Sequence, residues 1–177
     1  VIIAGFPGSA CGMNAFVIDA FEFCRLKERR EGEIAVADLP RLADESVDKS
    51  GEVRWSLQGG ANKHGHPQLT LSVSGAVNLM CQRCLTPFAF DIDSDSILVL
   101  ATNERSADEI DALLADEEVE VVVASRSFDI AQLIEDETLL TLPVSPKHAI
   151  CPDQLMPESA KDAEKASPFA ILKNLKQ

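Results

Sequence analysis

The sequence predicts a single α+β domain, in which flanking helices pack on an antiparallel sheet that is rich in hairpins, either open or barrel-like. Three observations predict this class. Apolar residues occupy every odd position from Leu69 to Cys81 except Gly75, helix-like stretches lie before and after this region, and residues 152–167 are polar and charged. Period-two alternation is typical of strands with one buried face, and separated strand and helix runs are typical of α+β folds.

The 177 residues fit one domain with mobile ends. We expect residues 1–12 to be a non-native or disordered extension, because Met13 opens a stretch that resembles a natural start. Residues 13–151 are then the domain. Residues 152–177 are predicted to be a disordered tail, consisting of a flexible acidic and polar linker and a terminal docking peptide.

The N-terminal part predicts two short helices. Residues 19–30 begin with Asp19, a residue type that caps helices, and end with a basic cluster that suits a helix C-terminus. A second helical segment is expected at 36–43, with Pro40 in its first turn or interrupting it.

The central part predicts strands. Alternation from Val53 to Leu57 predicts the first strand, and the glycine-rich stretch 59–66 is typical of a loop. The odd-numbered apolar residues that follow predict one long strand or two short ones, with a bulge or bend at Gly75. The turn CQRCLTP comes next, and alternation resumes at 88–92 and continues in shifted phase at 97–100.

The C-terminal part predicts two helices and a strand. Residues 106–118 predict an acidic amphipathic helix, and 119–125 predict a buried strand. Asp129 opens another helix with Gln132 three positions on, which is the spacing of a capping box. A shared apolar face is expected from Ile130, Leu133, Ile134 and Leu140, and Pro143 and Pro146 end the helix.

Charge and composition narrow the function classes. The net charge is −13, of which residues 91–120 carry −10. We interpret that segment as a solvated surface or as a docking face for a basic partner.

The basic patch of a DNA-binding protein is absent from the sequence, aromatic residues for base stacking are few, and there is no apolar run long enough to cross a membrane. Five cysteines, an odd number, argue against a disulfide framework and favour the cytoplasm.

Two cysteine-containing pairs form a candidate zinc site. Cys81 and Cys84 have the spacing of a metal knuckle, and His148 and Cys151 repeat it in a proline-flanked loop. The alternative is that no metal is bound, with Cys81 in the core and His148 in solvent. A redox role for the first pair is a weaker interpretation, because a strand rather than a helix follows it.

Two further features are candidate partner contacts. Arg83 lies between the two cysteines, and we expect it to point outward, toward a partner or toward the acids Asp91 and Asp93. The terminal peptide carries an apolar stripe that docks on a partner or packs back on its own domain; the stripe consists of Phe169, Leu172 and Leu175.

The motifs CQRCL (81–85), IEDETLLTLPVSPKHAIC (134–151) and SPFAILKNLK (167–176) together resemble the YceD-like large ribosomal RNA subunit accumulation proteins. The resemblance implies a ribosome biogenesis factor that supports accumulation of 23S rRNA by binding, and not an enzyme. Its partner would be the large-subunit pre-ribosome, a ribosomal protein or rRNA. The resemblance also singles out Glu135 and Asp136, which we expect to contact a basic partner or to pair with Arg83. The alternatives are a thiol-dependent redox protein and a metal-binding regulator of transcription.

Overall fold

A computed structural model describes residues 16–152 of the chain. The expected extension at 1–12, the start at Met13 and the terminal peptide with its linker from residue 153 onward lie outside the described residues. Within the described part, none of the helices combines the length and the apolar character needed to cross a bilayer.

Four α-helices and seven strands make up residues 16–152. The helices are α1 (Ala20–Leu26), α2 (Pro40–Glu45), α3 (Glu104–Leu113) and α4 (Ile130–Thr141), with a 3-10 turn at Val36–Asp38 before α2. The strands are β1 (Val17–Ile18), β2 (Arg29–Ala35), β3 (Glu52–Ala61), β4 (Pro67–Met80), β5 (Pro87–Ala101), β6 (Glu120–Val123) and β7 (Phe128–Asp129).

The main sheet has five strands in the order β2-β3-β4-β5-β6, and β1 pairs with β7 in a small second sheet. The first four strands are antiparallel neighbours, whereas β6 runs parallel to β5 after the α3 crossover. The predicted α+β class is therefore confirmed. The predicted antiparallel hairpins are present as β3–β4 and β4–β5, but the sheet is mixed because β6 is parallel to β5. The barrel-like alternative is wrong, because β2 and β6 remain as separate edges among the described residues.

One face of the sheet carries the main core. Odd positions of β4 and even positions of β5 lie opposite each other, as in the pair Leu69 and Leu98, so their side chains share a face. This face packs against the helices, and fully buried core side chains include Leu57 and Leu71 of the sheet and Ile130 and Ile134 of α4. Burial of each such side chain stabilises the fold by about 1.5–3 kcal/mol.

The opposite face is buried at one end only. There Val99 and Ala101 of β5 pack with Ile110 of α3 and with Leu114. The predicted phase shift in β5 is therefore wrong. Leu98 and Leu100 stay on the face of the main core, and the strand becomes apolar on both sides because helices cover both.

Several predicted boundaries differ in the structure. Helix α1 ends at Leu26, where Lys27 takes a left-handed conformation, and the last two arginines of the basic cluster open the edge strand β2. Strand β6 is only half-buried because it lies at the other edge, and Leu140 of α4 is 76% exposed rather than on the apolar face. Helices α3 and α4 are confirmed, and Asp129 caps α4 as predicted.

Two glycines have roles that the sequence did not indicate. Gly59 lies inside β3, and a Cβ there would stand 2.6 Å from the Phe23 carbonyl oxygen of α1. Gly75 pairs in regular register with Ile92, so the predicted bulge is wrong. A Cβ at Gly75 would stand 2.6 Å from the Glu52 carbonyl oxygen. Both glycines permit a close approach of backbone, and neither ends a strand.

Candidate metal centre

The turn that joins β4 to β5 places the first two cysteines. The Cys81 N–H donates to the Thr86 carbonyl at 3.0 Å, and the Leu85 N–H donates to the Cys81 carbonyl at 2.9 Å. Leu85 has a φ of 56°, a left-handed conformation that is costly for a non-glycine residue. The tight turn brings the side chains of Cys81 and Cys84 to one side.

The loop after α4 places the other two residues. Pro143 and Pro146 follow the helix end, as predicted, and the loop runs back to the β4–β5 turn. There the Gln82 N–H donates to the Pro146 carbonyl at 2.9 Å, and the Ser145 hydroxyl donates to Oε1 of Gln82 at 2.9 Å. The second residue of the C-x-x-C motif thus attaches the loop to the turn.

The side chains of Cys81, Cys84, His148 and Cys151 meet in one cluster, and their ligand atoms all lie within 4.8 Å of one another. The Sγ atoms of Cys81 and Cys151 are 3.7 Å apart, and Sγ of Cys84 is 3.3 Å from Nδ1 of His148. The sequence pairs Cys81 with Cys84 and His148 with Cys151, by their spacing along the chain. In the structure, the shortest contacts instead join a residue of one pair to a residue of the other.

These distances fit a tetrahedral ion. A tetrahedron with zinc–sulfur bonds of about 2.3 Å and a zinc–nitrogen bond of about 2.0 Å has edges of about 3.8 Å between sulfurs and about 3.5 Å from sulfur to nitrogen. The observed 3.7 and 3.3 Å are close to these edges. The four residues could therefore hold a metal ion.

The surroundings shield the cluster and orient its histidine. Cys81 and Cys151 are buried, whereas Cys84 and His148 are half-buried. The Phe88 ring packs against the His148 ring, with 4.9 Å between centroids. His148 is therefore partly shielded rather than fully in solvent, and Cys81 lies in the core, as the metal-free alternative expects.

The local charges favour a thiolate. Burial raises the pKa of Cys81, but backbone N–H groups of Cys84, His148 and Arg83 donate to its sulfur and together lower that pKa to about 5. Burial raises the pKa of Cys151, and Arg83 opposes that rise. The lowered pKa keeps the Cys81 sulfur as a thiolate, whose negative charge a bound cation would stabilise.

Arg83 is exposed as predicted, but its partner is a sulfur. Its Nε donates to Sγ of Cys151 at 2.9 Å, and its Nη2 donates to the His148 carbonyl at 3.4 Å. The hydrogen bond to Cys151 raises the pKa of the guanidinium. The alternative in which Arg83 pairs with Asp91 or Asp93 is wrong, since the guanidinium faces the cluster instead.

Glu135 and Asp136 lie apart from Arg83 and bind Arg41, at 2.8 and 2.6 Å. The expected alternative of a pair with Arg83 is therefore wrong. Glu135 is buried and Asp136 is half-exposed, so of these two carboxylates only that of Asp136 is accessible to a partner. Sequence reasoning missed Arg41, because it stands 94 positions from Glu135 and no local pattern links them.

The region of the chain that contains the cluster also matches a known protein family. The family model of the large ribosomal RNA subunit accumulation protein YceD matches residues 69–176, more than half of the chain. This span contains all four residues of the cluster.

A curated relative also matches. The chain is 28% identical over 164 residues to the large ribosomal RNA subunit accumulation protein YceD of Haemophilus influenzae, and the match covers 82% of this chain and 86% of the relative. No solved structure matches the chain. The match to the family model confirms the resemblance of the three motifs, and the chain belongs to the YceD family of large ribosomal RNA subunit accumulation proteins.

Proposed function

We propose that this protein supports accumulation of 23S rRNA in ribosome biogenesis, and that it acts by binding a component of the large-subunit precursor rather than by catalysis. The family name and the name of the relative from Haemophilus influenzae support the process. The proposal places the protein in the cytoplasm, where bacterial ribosomes are assembled. The component is a ribosomal protein or the rRNA itself.

The observation that carries the mechanism is the meeting of Cys81, Cys84, His148 and Cys151 within 4.8 Å. We propose that the four residues bind one Zn²⁺. Four protein ligands complete a tetrahedron and leave no position for a substrate, which is the pattern of structural rather than catalytic zinc sites. The ion would fix the β4–β5 turn to the loop after α4.

The surface around the cluster supports a binding role. A groove of about 420 Å³ lies beside the turn, and its lining combines apolar side chains such as Met80 and Leu142 with the polar side chains of Glu45 and Gln82. Leu85, at the tip of the turn, is 73% exposed, and Val144 is 100% exposed. Exposed apolar side chains grouped around a rigid turn are typical of a protein contact surface.

Further contacts complete the proposed surface. Arg83 is exposed and lies in the same turn as Leu85, and a guanidinium can bind phosphate or carboxylate. Half-exposed Asp136 and the terminal peptide with Phe169, Leu172 and Leu175 are also proposed to contact the partner.

The thiol-dependent alternative requires an accessible sulfur. Reactive cysteines are partly exposed. Cys81 and Cys151 are buried, and of the three cysteines in the cluster only half-buried Cys84 meets this requirement. Alkylation with mass mapping separates the alternatives. A metal site predicts slow labelling of these cysteines that accelerates after a chelator is added, and a redox dithiol predicts fast labelling of Cys81 or Cys84 without it.

Affinity capture of the tagged protein from cells, at low and high salt, tests the binding role. We expect large-subunit rRNA or ribosomal proteins in the eluate. Leu85→Asp should reduce their recovery, because it places a charge at the tip of the turn without straining the left-handed backbone, which Asp tolerates. Leu113→Asp, at a 57% exposed position of α3, is the matched control and should recover them normally. Equal recovery with both variants would exclude the turn as the contact.

A further inference from the structure

We propose that Arg83 is a positioning residue of the metal centre, which holds the Cys151 sulfur in place and slows its reactions. The inference rests on the proposed zinc site. It assigns to Arg83 a role inside the protein in addition to any contact with a partner.

The geometry of the guanidinium supports this role. Its Nε–H donates to Sγ of Cys151 at 2.9 Å, and its Nη2 reaches the carbonyl of His148 at 3.4 Å. One planar group therefore touches both ligand-bearing residues of the loop after α4, while it is itself anchored between the two cysteines of the turn. Lysine, with a single ammonium on a flexible stem, cannot reproduce this fork.

The position of Arg83 explains how distant ligands are held together. Cys84 and His148 are 64 positions apart, so contacts other than the metal ligands are needed to hold the loop against the turn. The two residues between Cys81 and Cys84 supply them, since Gln82 binds the start of the loop through Pro146 and Arg83 binds its end. The loop is thereby attached on both sides of His148.

The charge of the guanidinium also matches the site. Three thiolates around one divalent cation leave a net charge of −1, and a single adjacent guanidinium neutralises it. Hydrogen bonds with one ionised partner are about twice as strong as neutral ones. An N–H bond to a metal-bound sulfur also withdraws electron density from it, which weakens the sulfur as a nucleophile and slows its exchange.

Two rates measured on the zinc-loaded full chain test the proposal: transfer of zinc to a competing chelator, and carbamidomethylation of Cys151 by iodoacetamide. We expect Arg83→Ala to accelerate both, zinc transfer by about 10–100-fold, the usual effect of losing a group that orients a ligand. Arg83→Lys should fall between Arg83→Ala and the unmodified chain. Arg54→Ala, at a 75% exposed arginine paired with Glu33, is the control and should change neither rate.

The outcomes separate this inference from the proposed zinc site. Rates within twofold of the unmodified chain in both Arg83 variants would overturn the positioning role while leaving the zinc site intact. A protein that takes up no zinc would overturn the zinc site and this inference together. A thermal melt of each variant, in its metal-free form, shows whether faster release reflects a general loss of stability, which would also count against a local role.

Discussion

The buried carboxylate of Glu135 has a structural role. Its carboxylate accepts the backbone N–H of Arg41 at 2.6 Å and that of Leu42 at 3.3 Å, and it also binds Nε of Arg41 at 2.8 Å. The residue before α2 is Leu39, which has no side-chain acceptor for these N–H groups. Glu135 of α4 therefore caps α2 from a distant part of the chain.

We predict that Glu135→Ala destabilises the protein by about 2–4 kcal/mol, because it leaves buried N–H groups of α2 without an acceptor. Asp136→Ala removes a neighbouring carboxylate from the same arginine at a half-exposed position, and should cost less than about 1 kcal/mol. Urea unfolding followed by circular dichroism measures both. Equal losses would show that Glu135 acts only as a surface ion pair.

At the residue scale, local caps could be predicted and distant ones could not. Asp19 and Asp129 accept N–H groups two and three positions ahead, so a short sequence pattern specifies them. Glu135 and Arg41 meet only because α2 and α4 pack together. Likewise, the type and spacing of the residues flanking Arg83 predicted its exposure, but its bond to Cys151 depends on the fold.

At the scale of elements, α1 packs closely on the main sheet at Gly59. A Cβ at this position would stand 2.6 Å from the carbonyl oxygen of Phe23 and 2.9 Å from Cα of Cys24. These are backbone atoms of α1, so a side chain cannot be accommodated by a rotamer change. A Cβ on the neighbouring Gly60 would have no atom within 4 Å.

We predict that Gly59→Ala costs about 1–3 kcal/mol of stability, the usual effect of forcing an extra methyl group into a packed interface. Gly60→Ala is the matched control in the same strand. It should be neutral or slightly stabilising, because alanine loses less backbone entropy than glycine on folding. The melting temperatures of both variants measure the effect, and a similar shift for the two would contradict the close approach of α1 to β3 at Gly59.

Alternation along the chain predicted β4 and the first half of β5, because each has one face in the main core, but it gave the wrong phase at the end of β5, where both faces are buried. Composition failed at Gly59–Ala61, which it assigns to a loop. Pairing with β4 through Gly59 and Leu69 and packing on α1 hold this segment in a strand. Tertiary contact overrides local preference there.

At the scale of the whole molecule, the Cys81–Cys84–His148–Cys151 cluster joins the β4–β5 turn to the end of the described chain. The sequence identified all four residues but left the metal and metal-free interpretations open, because spacing alone cannot bring together two pairs so far apart. The hydrogen bonds of Gln82 and Arg83 to the loop bring the two pairs together.

We predict about one zinc per chain in protein purified without chelator, and a lower melting temperature after chelation, since binding to the native state adds to stability. Elemental analysis and paired thermal melts provide the measurement. Cys84→Ser should lose the metal and the response to chelator, whereas Cys24→Ser, at a buried cysteine outside the cluster, should keep both. A metal-free preparation would contradict the prediction.

Deletion of residues 168–177 should leave the folded domain intact and weaken partner association, because the terminal peptide lies beyond a polar linker. Thermal melting and affinity capture of the truncated chain measure the two effects separately. A loss of melting temperature that parallels the loss of binding would show that the peptide packs on its own domain instead.

The most direct test of the central claim is the ratio of mature 23S to 16S rRNA in cells depleted of this protein, measured during normal growth and in the cold. The account predicts that depletion lowers the ratio, that the intact chain restores it, and that Cys81→Ser does not. An unchanged ratio after depletion under both conditions would contradict a role in large-subunit rRNA accumulation.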